Sequence, residues 1–183
     1  MSEPRRKSVP NGNMDPDLVI RIHAHAILSS PNFRKTAGFV QHGTTSCQQH
    51  CLAVARLSLR LAGRLRLRHD PASLVRGALL HDFFLYDWHL PQASRGLHGY
   101  THPGTALANA EREFPLNAVE RDIILRHMFP LTIVPPRRVE AWLVCIADKL
   151  CSIGEILKAR QPRTRKVRCL AESASCARYS ASP

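Results

Sequence analysis

The apolar residues of this chain recur at intervals of three and four positions along most of its length, which is the spacing of one face of an α-helix. No segment stands out for strict alternation of apolar and polar residues, and no internal repeat is visible. The pattern therefore predicts an all-α protein. Its helices are expected to run from Asp15 to a stop at Ser29-Ser30-Pro31 and over about 47–67, 71–82, 103–114, 116–128 and 138–158.

Local signals mark some of the helix ends. Ser46 followed by Gln49 resembles a capping box at the start of the second helix. Pro103 suits the first turn of a later helix, where the N–H that proline lacks would have no intrahelical partner. The segment 32–45 and the aromatic segment 83–101 lack helical spacing, so we expect both to be irregular.

About half of the net charge of +12 lies near the C-terminus, where residues 157–183 hold seven Lys or Arg residues against one Glu. A basic chain suggests a nucleic-acid partner, but charge concentrated in one short tail is more simply a solvated segment, so nucleic-acid binding is not expected. A basic tail over 159–183 and a polar arm over 1–13 are expected to be disordered. Between them, residues 14–158 are expected to form a single helical domain.

Hydrophobic residues make up 44% of the 183 residues, which suffices for a buried core. There is no uninterrupted apolar run of 18 residues, and no apolar stretch follows the basic N-terminus, so neither a membrane span nor a signal peptide is expected. The six cysteines form no Cys-x-x-Cys pair. Free thiols in a reducing cytoplasm are the expectation.

Histidine and aspartate residues recur on or at the ends of the predicted helices. They are His50, His81, Asp82, His102, His127 and Asp148. A single histidine on an apolar face is more often a hydrogen-bonded core residue than a ligand, because a buried polar group needs a partner. Six such residues in one helical chain favour a metal site inside the bundle. Mixed imidazole and carboxylate ligands suit divalent Fe, Mn, Zn or Co, and Mg also stays open.

Three segments that contain these residues resemble the H…HD…D signature of the HD-domain phosphohydrolase superfamily. They are Gln49-His50 with Val54-Ala55, Ala78-Leu79-Leu80-His81-Asp82, and Ala147-Asp148-Lys149, and the resemblance covers roughly residues 42–153. It implies an all-α HD-domain-like bundle with the metal site in its interior. It also implies that His50, His81, Asp82 and Asp148 bind a first ion. Dinuclear branches add two histidines, which His102 and His127 resemble, and Asp82 would then bridge both ions.

The resemblance implies hydrolysis of a phosphate ester or anhydride by metal-activated water, with a nucleotide as the expected substrate. Asp82 and Asp87 are the expected catalytic carboxylates, Asp87 as acid or base. Lys149 and Arg126 are the expected cations for substrate phosphates, and plain surface charges on helices are an equal alternative.

Several alternatives stay open. The Gly-Tyr-Pro motif and the His-His pair of cyclic-di-GMP phosphodiesterases are missing, since Met128 follows His127, so that substrate is not expected. His98 is an alternative ligand to His102. A metal-containing regulator that binds a nucleotide or a protein without catalysis is the alternative function. The sequence leaves the substrate, the metal, the number of ions and the oligomeric state undetermined.

Overall fold

The computed structural model describes residues 14–87 and 98–160 of the chain. Seven α-helices account for most of this described part, which confirms the predicted all-α fold. They are α1 (Pro16–Ser29), α2 (Pro31–Lys35), α3 (Cys47–Arg64), α4 (Pro71–Leu80), α5 (His98–Glu113), α6 (Ala118–Arg126) and α7 (Val139–Arg160). A 3-10 turn (Thr36–Gly38) and a hairpin of β1 (Val40–His42) and β2 (Thr45–Ser46) precede α3.

Helix α4 lies at the centre of the bundle, in contact with α1, α3, α6 and α7. Its sequence explains this place, because seven of its ten residues are buried and, apart from Ser73 and Arg76, all ten are apolar, as expected of a helix surrounded by others. Its fully buried side chains include Leu74, Val75, Leu79 and Leu80. The segment that follows α4 is therefore delivered into the interior of the protein.

The start of α3 is as predicted, but its end is not. Ser46 and Gln49 form the expected capping box. The helix stops at Arg64, three residues before the predicted end. Arg66 has a positive φ of 52°, and the N–H groups of Arg66 and Leu67 donate to the carbonyls of Gly63 and Ala62. This is the Schellman ending, which usually places glycine where Arg66 stands, so the sequence carried no signal for it.

The segment 32–45, predicted to be irregular, instead holds α2, the 3-10 turn and most of the hairpin. The two strands are three and two residues long, too short to produce a visible alternating pattern. At the hairpin turn, Gly43 has a φ of +60°, and a Cβ at this position would collide with the side chain of Ala159. The hairpin is thus seated closely against the C-terminal end of α7.

Helix α5 begins at His98, so Pro103 lies inside the helix and not in its first turn as predicted. Proline there removes one main-chain hydrogen bond, and the helix still forms because buried residues such as Ala106 and Ala110 anchor it to the core. Earlier in the aromatic segment, Phe83 and Phe84 are buried, which supports core packing for these two rings.

A buried carboxylate joins α6 to the start of α7. The Asp122 carboxylate accepts hydrogen bonds from the main-chain N–H groups of Arg137 and Arg138, at 2.8 and 2.9 Å, just before α7 begins. It also pairs with Arg126, with 3.1 Å between Oδ1 and Nε. Because one candidate ligand, His127, directly follows α6 and another, Asp148, lies in α7, this link helps to fix the spacing between them.

The disorder expected for residues 1–13 and for most of 159–183 lies outside the described residues, although Ala159 and Arg160 belong to α7. In the described part, no helix combines the length and apolar character needed to cross a membrane. Four cysteines of this part, at positions 47, 51, 145 and 151, are free thiols.

Close packing of α4 against α6 gives a test of the fold. A Cβ on Gly77 would overlap Cδ1 of Ile123 and lie 3.0 Å from its Cβ. Overpacking of this kind costs about 1–3 kcal/mol, against about 1 kcal/mol gained from the higher helix propensity of alanine. We expect Gly77→Ala to lower the free energy of unfolding in a urea titration. Gly104→Ala is the matched control, because outside its own turn of helix no atom of the described residues lies within 4 Å of the added Cβ. It should leave stability unchanged or raised.

Candidate metal centre

The six predicted ligands come together in the interior of the bundle. His50 lies in the first turn of α3, His81 and Asp82 directly follow α4, and His102 lies in α5. His127 directly follows α6, and Asp148 lies in α7. All six are buried, and their exposed fractions range from 0% for His50 to 7% for Asp148.

Four of these residues form a first group. The Oδ2 atom of Asp82 lies 3.4 Å from Nε2 of His81 and 3.9 Å from Nε2 of His50. The Oδ1 atom of Asp148 lies 3.1 Å from Nε2 of His50 and 3.8 Å from Nε2 of His81. Two imidazoles and two carboxylates therefore face one another across a small space.

Asp82 also belongs to a second group. Its other oxygen, Oδ1, lies 3.2 Å from Nε2 of His102 and 3.6 Å from Nε2 of His127. The two histidine nitrogens are 2.9 Å apart. One carboxylate thus presents each of its oxygens to a different pair of imidazoles. The candidate ligand atoms of His50, His81 and Asp82 lie within 4.8 Å of one another, and so do those of Asp82, His102 and His127.

Hydrogen bonds at the far side of the rings set the direction of three histidines. Nδ1 of His81 donates to the carbonyl of Ala78 at 2.7 Å. Nδ1 of His127 donates in the same way to the carbonyl of Ile124 at 2.8 Å. Nδ1 of His50 faces the Glu155 carboxylate at 3.1 and 3.2 Å. Since Nδ1 is held by an acceptor in each case, Nε2 is left to face the centre.

The side chains fit a divalent ion. Because Nδ1 of His81 donates to Ala78, the ring in its neutral form would offer a lone pair at Nε2, and this buried atom has no hydrogen-bond partner among the described residues. An unsatisfied buried polar atom is costly, and an ion would satisfy it. Ligand atoms about 2.1 Å from one ion lie about 3–3.5 Å apart, close to the separations in both groups.

The electrostatics point the same way. Burial disfavours the charged form of His50, but hydrogen bonds to Asp148 and Glu155 outweigh it and raise the pKa of His50 to about 10. Burial also disfavours the charged form of Asp82, yet the nearby His81 and His102 rings hold the pKa of Asp82 below its usual value. Burial, reinforced by His81, lowers the pKa of His127 to about 3. The carboxylates therefore stay ionised and attract positive charge, which ions can supply in place of protons.

Glu155 and Gln41 are polar partners of the candidate ligands that the sequence did not reveal. Glu155 lies two helical turns after Asp148 on the same face of α7, and that spacing was the available signal. Gln41, in β1, donates from Nε2 to Oδ2 of Asp82 at 2.6 Å. Nothing in the sequence pointed to Gln41, because the hairpin itself was not predicted.

The centre lies at the floor of a cavity of about 730 Å³. The polar part of its lining includes Gln41, His42, Asp82, His102, His127, Asp148, Lys149 and Ser152. Its apolar part is formed mainly by the residues after α6 and by the last turns of α7, namely Met128, Pro130, Leu131, Ile153 and Ile156. The volume and the mixed lining are typical of a small-molecule site.

The remaining predicted site residues are less well supported by their surroundings. Lys149 lines the cavity, and its Nζ donates to the carbonyl of His127 at 2.8 Å. Arg126 pairs with Asp122, donates to the carbonyl of Pro135 and is not in the described lining. Asp87 is half-buried at the end of the first described range. The roles of all three stay predictions.

His102 lies in the centre, whereas the side chain of His98, the alternative ligand, lies outside the described residues, so the choice between the two stays a prediction.

A helical bundle with two buried ligand groups around one carboxylate defines a class of all-α proteins suited to holding divalent ions. The chain belongs to the HD-domain family, a superfamily of metal-dependent phosphohydrolases, and the match to the HD domain covers residues 48–153. All six candidate ligands fall within the matched range, whereas Gln41 and Glu155 lie just outside it. No curated protein and no solved structure shows significant similarity to the chain.

Two groups that share one carboxylate lead to a stoichiometry test. Elemental analysis after loading with Mn²⁺ or Fe²⁺ should give about two ions for the wild-type chain and about one for His102→Ala, which keeps the first group. Asp82→Ala with His81→Ala should bind neither ion tightly, because it removes ligands from both groups. A wild-type chain that binds one ion and is unaffected by His102→Ala would contradict the second group.

Proposed function

We propose that this protein is a metal-dependent phosphohydrolase that cleaves a phosphate ester or anhydride, with a nucleotide as substrate. One observation carries the proposal: Asp82 joins two buried ligand groups at the floor of a cavity large enough for a nucleotide. Divalent ions held there would lower the pKa of a water molecule and polarise a phosphoryl oxygen. The family supports hydrolysis of a phosphate, and the nucleotide is our inference from the cavity.

The protein's own part in the reaction is to position the groups. Main-chain carbonyls at the ends of α4 and α6 hold His81 and His127, so neither ring has to reorient when it binds an ion. Asp82 is held by Gln41, which leaves both of its oxygens at the centre. A site that is already organised before it binds its ligand loses little free energy to rearrangement.

The lining of the cavity supports a substrate with a phosphate and an apolar or aromatic body. The phosphate would lie over the polar floor near Asp82 and Asp148. A nucleobase would lie against the apolar wall, which includes Leu131, Ile153 and Ile156. Lys149 is the described cation of this lining and is our candidate for a phosphate contact, and Asp87 stays our candidate acid or base.

The alternative function is a metal-containing regulator that binds a nucleotide or a protein without turning it over. The apolar wall and the polar floor would serve such a regulator equally well. The two functions differ in one measurable respect: an enzyme releases product repeatedly, whereas a regulator binds the same ligand and leaves it intact.

An activity screen tests the proposal. With Mn²⁺ or Fe²⁺ present, the purified chain should release phosphate or a cleaved product from a panel of nucleoside monophosphates, nucleoside triphosphates and dinucleoside polyphosphates. Asp82→Asn should lose activity by more than about 100-fold, since even indirect partners of metal ligands cost 10–100-fold. Glu111→Gln, an exposed change far along α5 from the centre, is the control and should keep full activity.

Tight binding of a nucleotide to the metal-loaded chain, with no turnover in this panel, would favour the regulator. If the chain binds neither ions nor nucleotides, both functions fail.

Lys149 and Arg126 can be tested as phosphate contacts by matched variants. A hydrogen bond to a charged group is worth about 1.5–3 kcal/mol, so Lys149→Met should raise KM about tenfold or more with a smaller change in kcat. Arg126→Met should lower stability, because it breaks the ion pair with Asp122. A raised KM in Arg126→Met would establish the phosphate role that the sequence suggests for it, and an unchanged KM would leave only the ion pair.

A further inference from the structure

His50 differs from His81 and His127 in the partner of its Nδ1. That partner is a carboxylate, whereas the other two rings donate to main-chain carbonyls. Both oxygens of Glu155 lie within hydrogen-bond distance of Nδ1 of His50, at 3.1 and 3.2 Å. The Glu155 side chain is only 10% exposed. A carboxylate buried to this extent needs a cationic or hydrogen-bonding partner, and the His50 ring supplies one.

Helix α7 contacts both nitrogens of the same ring. Asp148 faces Nε2 of His50 at 3.1 Å, and Glu155 faces Nδ1 from two helical turns further on. A spacing of seven residues places both carboxylates on one face of the helix. His50 is therefore clamped between a carboxylate that would share the ion with it and a carboxylate that fixes its orientation.

We infer that Glu155 is a positioning residue for the first ion, and that its contact with His50 sets how tightly that ion is held. A carboxylate that accepts the second N–H of a metal-bound histidine fixes the tautomer and makes the coordinating nitrogen more basic. Glu155 lies beyond the range 48–153 that matches the HD domain. The inference rests on the metal centre and does not depend on which reaction, if any, the protein catalyses.

The hairpin supports this arrangement from outside. Gly43 packs so closely on α7 that a Cβ would collide with Ala159, and it would lie 3.9 Å from the carbonyl oxygen of Glu155. The last turns of α7 are thus held against the segment that carries Gln41, the residue that donates to Asp82. The segments on either side of the matched range therefore each provide one partner to a ligand.

The test is a titration of metal-free protein with Co²⁺, followed by visible absorption and by calorimetry. All variants are made in the His102→Ala chain, where the first group remains alone, and in the wild-type chain. Glu155→Ala should weaken Co²⁺ binding to the first group by about 10–100-fold, the usual cost of losing such a partner. Glu155→Gln keeps an acceptor without the charge and should fall between Glu155→Ala and the unsubstituted chain, with a shifted absorption band. Lys158→Ala, an exposed change on the same helix, should leave affinity and spectrum unaltered.

Two results would overturn the inference. One is Co²⁺ affinity and spectrum that are unaltered by Glu155→Ala in the His102→Ala chain. The other is that Glu155→Ala and Glu155→Gln lose Co²⁺ affinity equally and that both lower the melting temperature of the metal-free protein. Glu155 would then be a purely structural residue. Failure of the proposed hydrolase is separate, because a chain that binds Co²⁺ as expected and cleaves no phosphate leaves this inference intact.

Discussion

The Asp82 carboxylate is the group on which the rest of the centre depends. Placing an ionised carboxylate inside a helical bundle is costly unless positive charge and hydrogen bonds surround it. Asp82 is 3% exposed, and four imidazole nitrogens lie 3.2–3.9 Å from its two oxygens. Those imidazoles come from four different helices or helix ends, so the bundle must converge on this one side chain. Divalent ions would supply more of the positive charge that this carboxylate needs than protonated imidazoles do. The site is therefore a candidate metal centre.

That convergence is achieved mainly by packing. Helix α4 can deliver His81 and Asp82 to the interior because most of its own surface is apolar and buried. Gly77 lets α6 approach closely enough to place His127 beside them. Asp122 then ties α6 to the start of α7, which carries Asp148. A ligand held at the end of a buried helix has little freedom to move, so the precision of the centre comes from the same contacts that stabilise the fold.

Helix periodicity and capping were sufficient to predict the all-α fold and the start of α3, whereas the candidate ligands came from the resemblance to the HD-domain family. The failures share a physical cause. The end of α3 depends on Arg66 adopting a backbone conformation that glycine usually adopts. Helix α5 begins before Pro103 because core contacts outweigh one lost hydrogen bond. Glu155 and His50 are 105 positions apart in sequence, so their contact depends on how α3 packs on α7, which local pattern does not encode. Gln41 could not be predicted because the strands of the hairpin that carries it are too short to produce a recognisable pattern.

The residues at the mouth of the cavity differ from those at its floor in how far they are buried. The ligands at the floor are buried and would be costly to leave unpaired, whereas Leu131, Ile153 and Ile156 at the mouth are exposed by 41%, 56% and 38%. Apolar side chains left in water contribute little to folding, but each gains roughly 25 cal/mol per Å² when a ligand covers it. The fold therefore does not require these particular residues at the mouth. We propose that these residues contact an apolar body bound above the centre, such as the base of the proposed nucleotide, and that the mouth, rather than the centre, would then select the substrate.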